Sequence, residues 1–415
     1  MTTQTPHRPA IAGGTPAKQT PYGAERRYGE EELGELEEAL NQGTLFYAQG
    51  KKVHQLEEEF AKKNGVAYAV ATSSGTATIH AAMIAVGISP GDEVIVSPIT
   101  DMGSIVPILY QGAVPVFADL DPHTYVLDLA SVESLITEKT RAVLAVHLAG
   151  NPCPMDELMA LGERHNFHVI EDCAQAFGAT YKGRPIGAIG HIGCFSYNEF
   201  KHISCGDGGL AVTNDENLAL RLRLATDKSY NRTAQGAERN PKFLANNYRM
   251  TELQGAVAVA QLHKLDDIVA RRRTWCAELS RQLADLPGIH LPAITPGGDT
   301  SWWFYMLRVD PAILGASTDE FASALQAEGL RASAHYIGHC IYEYPIFVEH
   351  SAFERGHHAY MDYTYGKGLC PNAEAILDTC VMLAINQAYT ATDLAETILG
   401  VRRVVDWFTQ KESEQ

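Results

Sequence analysis

The run CFSYNEFKHISCGDGG, residues 194–209, places a hydroxyl, Ser196, five residues ahead of an amine, Lys201, with a glycine-rich turn behind them. A lysine held at a fixed point can condense with a carbonyl to give a Schiff base, and a nearby hydroxyl can hold a phosphate. The pair therefore suggests pyridoxal phosphate. On their own the same residues would also make a strand, CFSY, followed by a surface lysine and a turn. VIEDCAQAFGA (169–179) ends an apolar run on Asp172, where a carboxylate can keep a pyridine nitrogen protonated, and Gln175 three residues on can reach a ring hydroxyl. Glu171 and Asp172 would serve equally as helix-capping acids. YAVATSSGTATIHAAM (68–83) reads as strand, Ser-Gly turn and helix, with Gly75, Thr76 and Ala77 at the helix start. Their N–H groups suit a dianion, or make an ordinary cap. That turn lacks both the G-x-G-x-x-G of a dinucleotide site and the G-K-[ST] of a P-loop. NNYRMTELQGA (246–256) sets Asn247 and Arg249 in a polar loop ahead of a long helical pattern, with Thr251 as its candidate cap.

These segments need a frame, and the chain supplies one. Between about 53 and 265, short apolar runs (AYAVAT, EVIVSP, VPVFAD, AVLAVHL, FHVIED) alternate with helical patterns such as TATIHAAMIAVG and MDELMALGERH. That alternation is the mark of βαβ units and a mostly parallel sheet, and strands apolar throughout imply helices on both faces. The expected division is an extended N-terminal arm (1–25), a large α/β domain (26–265) and a smaller C-terminal α/β domain (266–415). The smaller domain would hold the strand WWFYMLRVD, a helix over TDEFASALQAEG and a C-terminal helix over TATDLAETILGVRRVVDWF.

With 415 residues the chain can bury a large core and a smaller one. Acids outnumber bases 50 to 33, for a formal charge of −17, which argues against a nucleic-acid or anionic-membrane partner. Eight scattered cysteines without close pairs fit a reducing compartment, and the N-terminal stretch has no apolar signal run, so a cytoplasmic location is expected. His357 and His358 are adjacent, so their side chains diverge rather than chelate, and no metal is expected.

The ordered set SSGTATIH, GAVPVFADLDPHTYVLD, VIEDCAQAFGATYKGRPIGAIGHIGCFSY, Lys201 with GDGG, and NNYRMTELQGA resembles the DegT/StrS family of sugar aminotransferases, with 201 − 172 = 29 positions from acid to lysine. The resemblance implies a fold-type-I, aspartate-aminotransferase-like homodimer with active sites shared between subunits and pyridoxal 5'-phosphate as cofactor. Under it Lys201 carries the cofactor as a Schiff base and then moves the proton, Asp172 pairs with the pyridine nitrogen, and Gln175 contacts the ring oxygen. Gly75, Thr76, Ala77 and Ser196 would bind phosphate, with Asn247 and Arg249 reaching across from the other subunit. One position departs from the family: Asp101 stands where an aromatic residue usually stacks on the ring. Either Met102 or another apolar group covers the ring, or Asp101 faces the substrate, or it simply caps the next helix. His335 and Tyr336 fall in a region that lines the acceptor pocket in similar proteins, or pack as loop. His202 follows an intact Lys201, which favours transamination over the dehydration run by relatives with histidine in the lysine's place. The implied reaction moves an amine from L-glutamate or L-glutamine to a keto-sugar, often nucleotide-linked, or to a keto-cyclitol, in antibiotic or surface-glycan biosynthesis. A dehydratase or cyclising synthase on the same scaffold, and a non-catalytic regulatory protein of the same fold, are the alternatives.

Overall fold

A single sheet of seven strands dominates the computed structural model, which describes residues 8–232 and 239–413. The strands are β1 (Tyr68–Thr72), β2 (Glu93–Val96), β3 (Val114–Phe117), β4 (Thr140–Val146), β5 (His168–Asp172), β6 (Ile192–Ser196) and β7 (Gly209–Thr213). Their spatial order is β1-β7-β6-β5-β4-β2-β3. Only β7 runs against its neighbours; the remaining pairings are parallel. Six strands therefore finish at the same edge, where open α/β sheets present ligand-binding groups. β2, β6 and β7 are buried along their whole length, as continuous apolar strands must be when helices cover both faces.

A second, antiparallel sheet is built from Ile289–His290, Tyr305–Val309, Cys380–Leu383 and Ala332–Ala334, in that spatial order. It has its own core of Trp275, Leu279, Leu307, Phe321, Leu325, Val401 and Val405. The 32-residue helix Glu252–Leu283 joins the two cores: Val259 and Leu262 lie in the first, Trp275 and Leu279 in the second. Thr251 caps its start, as the sequence suggests, and exchanges hydrogen bonds with Gln254 to form a capping box. Packing does not follow a single cut at 265/266, because Ile341, Tyr342, Phe347, Tyr360 and Leu377 return to the first core.

The N-terminal arm docks on this second unit. The buried Glu328 carboxylate accepts the N–H groups of Ala10 (2.7 Å) and Ala17 (2.6 Å) and pairs with Arg403 at 3.1 Å. Lys18 lies 2.8 Å from Asp393 and 2.6 Å from Glu396. No helix among the described residues is long and apolar enough to cross a membrane.

Candidate active site

β5 ends on adjacent acids, and strand alternation sends them to opposite faces. Glu171, fully buried, accepts the N–H groups of Gly187 (2.8 Å), Ile189 (2.9 Å) and Gly190 (2.6 Å), and His147 Nε2 stands 3.1 Å away. Cys153 N–H donates to His147 Nδ1 at 3.0 Å, which leaves Nε2 as the donor to Glu171. Cys173 also approaches this pair, but burial pushes its thiol well up, so the buried trio is occupied in structure. Asp172 takes the other face at the ligand edge. Its Oδ2 accepts the Ser104 hydroxyl at 2.7 Å, and its Oδ1 accepts Ala174 N–H at 3.0 Å. Ser104 is itself 2.7 Å from Thr100 Oγ1.

Lys201 sits in the connection between β6 and β7, with Nζ 4.1 Å from the centre of the Trp303 indole. Burial lowers the pKa of its amine, while the negative charges of Asp172 and Asp101 act in the opposite sense. A lysine so placed has more of the neutral, nucleophilic form near neutrality than an exposed one. His202 is turned away: it is fully buried, and its Nε2 donates to Ser301 O at 3.0 Å.

The helix Gly75–Val86 begins beside these groups, with Ser74 as N-cap accepting Ala77 N–H at 3.1 Å. First-turn N–H groups lack partners within a helix and point outward from its positive end. Glycines let the walls close around that end. A Cβ added at Gly75 would lie 2.6 Å from Ser196 Cβ, and one at Gly209 would lie 2.2 Å from Thr78 Oγ1 and 2.3 Å from Ser74 O. Gly103 leaves similar room between Thr76 Oγ1 (2.7 Å) and Asp101 Oδ1 (2.9 Å). Asp101 is the N-cap of the helix Met102–Tyr110, accepting Gly103 N–H at 2.7 Å, and Met102 packs part-buried against the core.

A family model described as the DegT/DnrJ/EryC1/StrS aminotransferase family matches residues 26–402. The chain belongs to this family. As a member it is a pyridoxal-phosphate-dependent aminotransferase of fold type I acting on small molecules. It is 33% identical over 385 residues, 91% of this chain and 95% of the other, to the spore coat polysaccharide biosynthesis protein SpsC of Bacillus subtilis (strain 168). It is 38% identical over 286 residues, 68% of this chain and 75% of the other, to the GDP-perosamine synthase of Caulobacter vibrioides. The crystal structure of S. venezuelae DesV in complex with a ketimine intermediate superposes with a TM-score of 0.78 at 34% identity, covering 91% of this chain and 94% of that one.

Within this aminotransferase the edge of the sheet brings together Lys201, Asp172, Ser196, Gly75, Thr76, Ala77 and Gln175. Gln175 Oε1 accepts Ala149 N–H at 2.8 Å, which fixes the amide so that its Nε2 faces Tyr336 OH at 3.5 Å. Tyr336 thus joins the site, packed on Phe304 with ring centres 4.7 Å apart. His335 does not: its Nδ1 stands 2.8 Å from Leu377 O, and its Nε2 lies 3.4 Å from Asp319. Arg249 is committed within its own chain, paired with the buried Asp227 that also binds Arg232. The neighbouring Tyr248 O accepts Ser73 N–H at 2.7 Å, and the Asn247 side chain is exposed. His357 pairs with Asp362 at 3.0 Å while His358 stacks on Phe353, so the two imidazoles do diverge. Sequence reasoning missed Ser104 and Trp303. A hydroxyl three residues after Asp101 was the available signal for Ser104; Trp303 reaches the site only through the fold.

The residues fit the family's cofactor. Gly75 and Gly209 exist where a Cβ would fill the cradle, Asp172 presents a hydrogen-bonded carboxylate at the same edge, and the lysine between them has a depressed pKa.

Proposed function

We propose that this aminotransferase holds pyridoxal 5'-phosphate at the edge of the first sheet and moves an amine from L-glutamate or L-glutamine to a nucleotide-linked keto-sugar. The observation that carries the reading is the convergence of a depressed lysine amine, a carboxylate and a glycine-lined helix N-terminus. The named activity of the Caulobacter relative supports the acceptor class. When bound, the cofactor supplies an electron sink for the donor's α-carbon. Asp172 holds a proton on the pyridine nitrogen; Gln175 donates to the ring oxygen; Ser196 and the N–H groups of Gly75 and Thr76 bind the phosphate, with Ala77 N–H shared between the phosphate and the Ser74 cap. Lys201 Nζ takes the proton from the α-carbon and returns it on the cofactor side. Asp101, exposed and within electrostatic reach of Lys201, Tyr336 and Tyr344, hydrogen-bonds an acceptor hydroxyl or amine.

A cavity of about 1160 Å³ opens from the outer wall of the cradle at Ser74, Thr76 and Ala77 rather than from Lys201, and runs to Tyr110 and Phe353. Leu244, 94% exposed, stands on its lining. That apolar exposure supports a homodimer in which the partner covers this wall and completes the phosphate site through Asn247.

The test is the visible spectrum of wild type and Lys201→Ala, each before and after L-glutamate or L-glutamine, with the matching keto acid measured, 2-oxoglutarate from glutamate and 2-oxoglutaramate from glutamine. Bleaching of the bound chromophore in wild type alone, with a stoichiometric amount of the true donor's keto acid, is expected. Elimination products without amine exchange would move the assignment to a dehydratase on the same scaffold.

A further inference from the structure

The connection that carries Lys201 has neither helix nor strand between Ser196 and Gly209, yet its carbonyls are bound from outside. The Arg27 guanidinium donates to the carbonyl oxygens of Glu199 and Lys201 and, at 3.2 Å, to that of His202. The intervening carbonyl, Phe200 O, accepts the indole N–H of Trp303 at 2.8 Å. Four successive carbonyls, 199 to 202, are thus held by two side chains. The same indole presents its face to Lys201 Nζ.

Each side chain springs from a backbone that is itself anchored. Gln261 donates to Arg27 O at 2.9 Å, and the next residue, Tyr28, places its hydroxyl 3.2 Å from Ser204 Oγ in the same connection. The backbone N–H of Trp303 donates to Ala149 O at 2.9 Å, the same residue whose N–H orients Gln175. Both groups enter from outside the first sheet: Arg27 follows the arm docked on the second unit, and Trp303 precedes the strand Tyr305–Val309 of the second sheet.

We propose that Arg27 and Trp303 are positioning residues for Lys201, one gripping the backbone that carries it and the other gripping that backbone and seating the amine. The proposal rests on the reading of Lys201 as the Schiff-base lysine. A guanidinium forks between several carbonyls at once where a lysine offers a single point of attachment, and an indole supplies both a donor and a cation-binding face. Without them the four-carbon stem of Lys201 rides on a connection held by isolated turn bonds, such as Lys201 N–H to Asn198 O at 2.9 Å, with no helix or strand ladder to fix it.

The experiment uses stripped, full-length protein and reads capture of pyridoxal phosphate at Lys201, by stopped-flow absorbance against pH and by peptide mass after borohydride reduction. Affinity for pyridoxamine phosphate, which has the same phosphate and ring but no carbonyl, is measured in parallel. Arg27→Ala and Trp303→Leu are expected to slow the plateau rate of capture by about tenfold or more, the scale set by misplacing a reacting group, while pyridoxamine phosphate affinity is unchanged. Arg27→Lys falls between, and Trp303→Phe retains the pH midpoint. Trp303→Leu also moves that midpoint downward, because no ring face then favours the ammonium. Unchanged capture in Arg27→Ala and Trp303→Leu overturns the proposal, as does a parallel loss of pyridoxamine phosphate affinity, which would mark a general collapse of the pocket. Absence of any Lys201 adduct in wild type would instead overturn the reading of the lysine itself.

Discussion

Gly75→Ala puts the cradle under a defined load. The new Cβ would stand 2.6 Å from Ser196 Cβ, 2.9 Å from Ser196 Oγ and 3.3 Å from Ser196 Cα. Carbon atoms in ordinary contact are about 3.5–4.0 Å apart, so the helix start must retreat from β6 by roughly 1 Å. Helix propensity does not explain a loss, since alanine is better than glycine within a helix by about 1 kcal/mol. A retreat of that size stretches an N–H···O bond from about 2.9 Å to about 3.9 Å, beyond useful range. Bonds to a charged group contribute about 1.5–3 kcal/mol each, so losing one or two removes about 3 kcal/mol. At 1.4 kcal/mol per factor of ten, affinity for pyridoxal phosphate should fall about a hundredfold. The assay is a binding titration of stripped protein with pyridoxal phosphate and, separately, with unphosphorylated pyridoxal. The phosphorylated ligand should lose its advantage while pyridoxal binds as before. An unchanged ratio of the two affinities would refute the placement of the phosphate at Gly75.

Three other outcomes follow from the geometry. Asp101→Asn keeps a side chain equally suited to the cap but removes a negative charge that favours the Lys201 ammonium, so the pH midpoint of cofactor capture should move down; a midpoint that stays or rises contradicts the electrostatic link. Ser104→Ala strips a 2.7 Å donor from the Asp172 carboxylate and should cost about 1.5–3 kcal/mol in urea unfolding of stripped protein, with Ser104→Thr restoring most of it; a loss of a few tenths, typical of surface changes, would show that the bond contributes little. His80, pressed between Tyr248 OH and Gln111 Nε2 at 2.7 Å each, is held by burial to a pKa of about 4. Its unfolded counterpart binds a proton near pH 6.5, so the unfolded chain gains the proton first, and stability should fall by about 3 kcal/mol as pH drops from 6.5 to 4. His80→Gln should flatten that part of the unfolding profile; an identical slope would remove His80 as its source.

Local patterns carried most of the frame. Apolar runs marked β1 to β6, and the Ser-Gly turn, the acid ending β5 and the lysine after β6 all fell at strand ends, where short-range sequence says enough. Glu171 and Asp172 were harder, because a pair of neighbouring acids looks alike on paper. Only the strand's alternation, set by the register of β5 with β4 and β6, separates the acid bound by backbone N–H groups from the one at the ligand edge. Arg249 was attractive by charge, yet the charge it answers is Asp227, a residue whose burial no local pattern revealed. Trp303 and Arg27 were illegible for a different reason. Each meets the lysine connection across a large stretch of chain, and such contacts are fixed by topology rather than by spacing. The arm was readable as extended from its proline and glycine content, but its anchor, Glu328, lies near the far end of the sequence.

The reversed strand β7 also sets an order of events during folding. β1 stands at the margin of the sheet and pairs there with β7 alone, Tyr68 opposite Thr213 and Thr72 opposite Gly209. Pairings between distant segments carry a loop-closure cost and form late. As the chain leaves the ribosome, β1, which leads into the helix that begins at Gly75, therefore has no partner strand until residues 209–213 are made. A chain interrupted just short of β7 would already contain Asp172, Ser196 and Lys201, and still lack both the partner of β1 and the Gly209 wall that closes on Ser74 and Thr78.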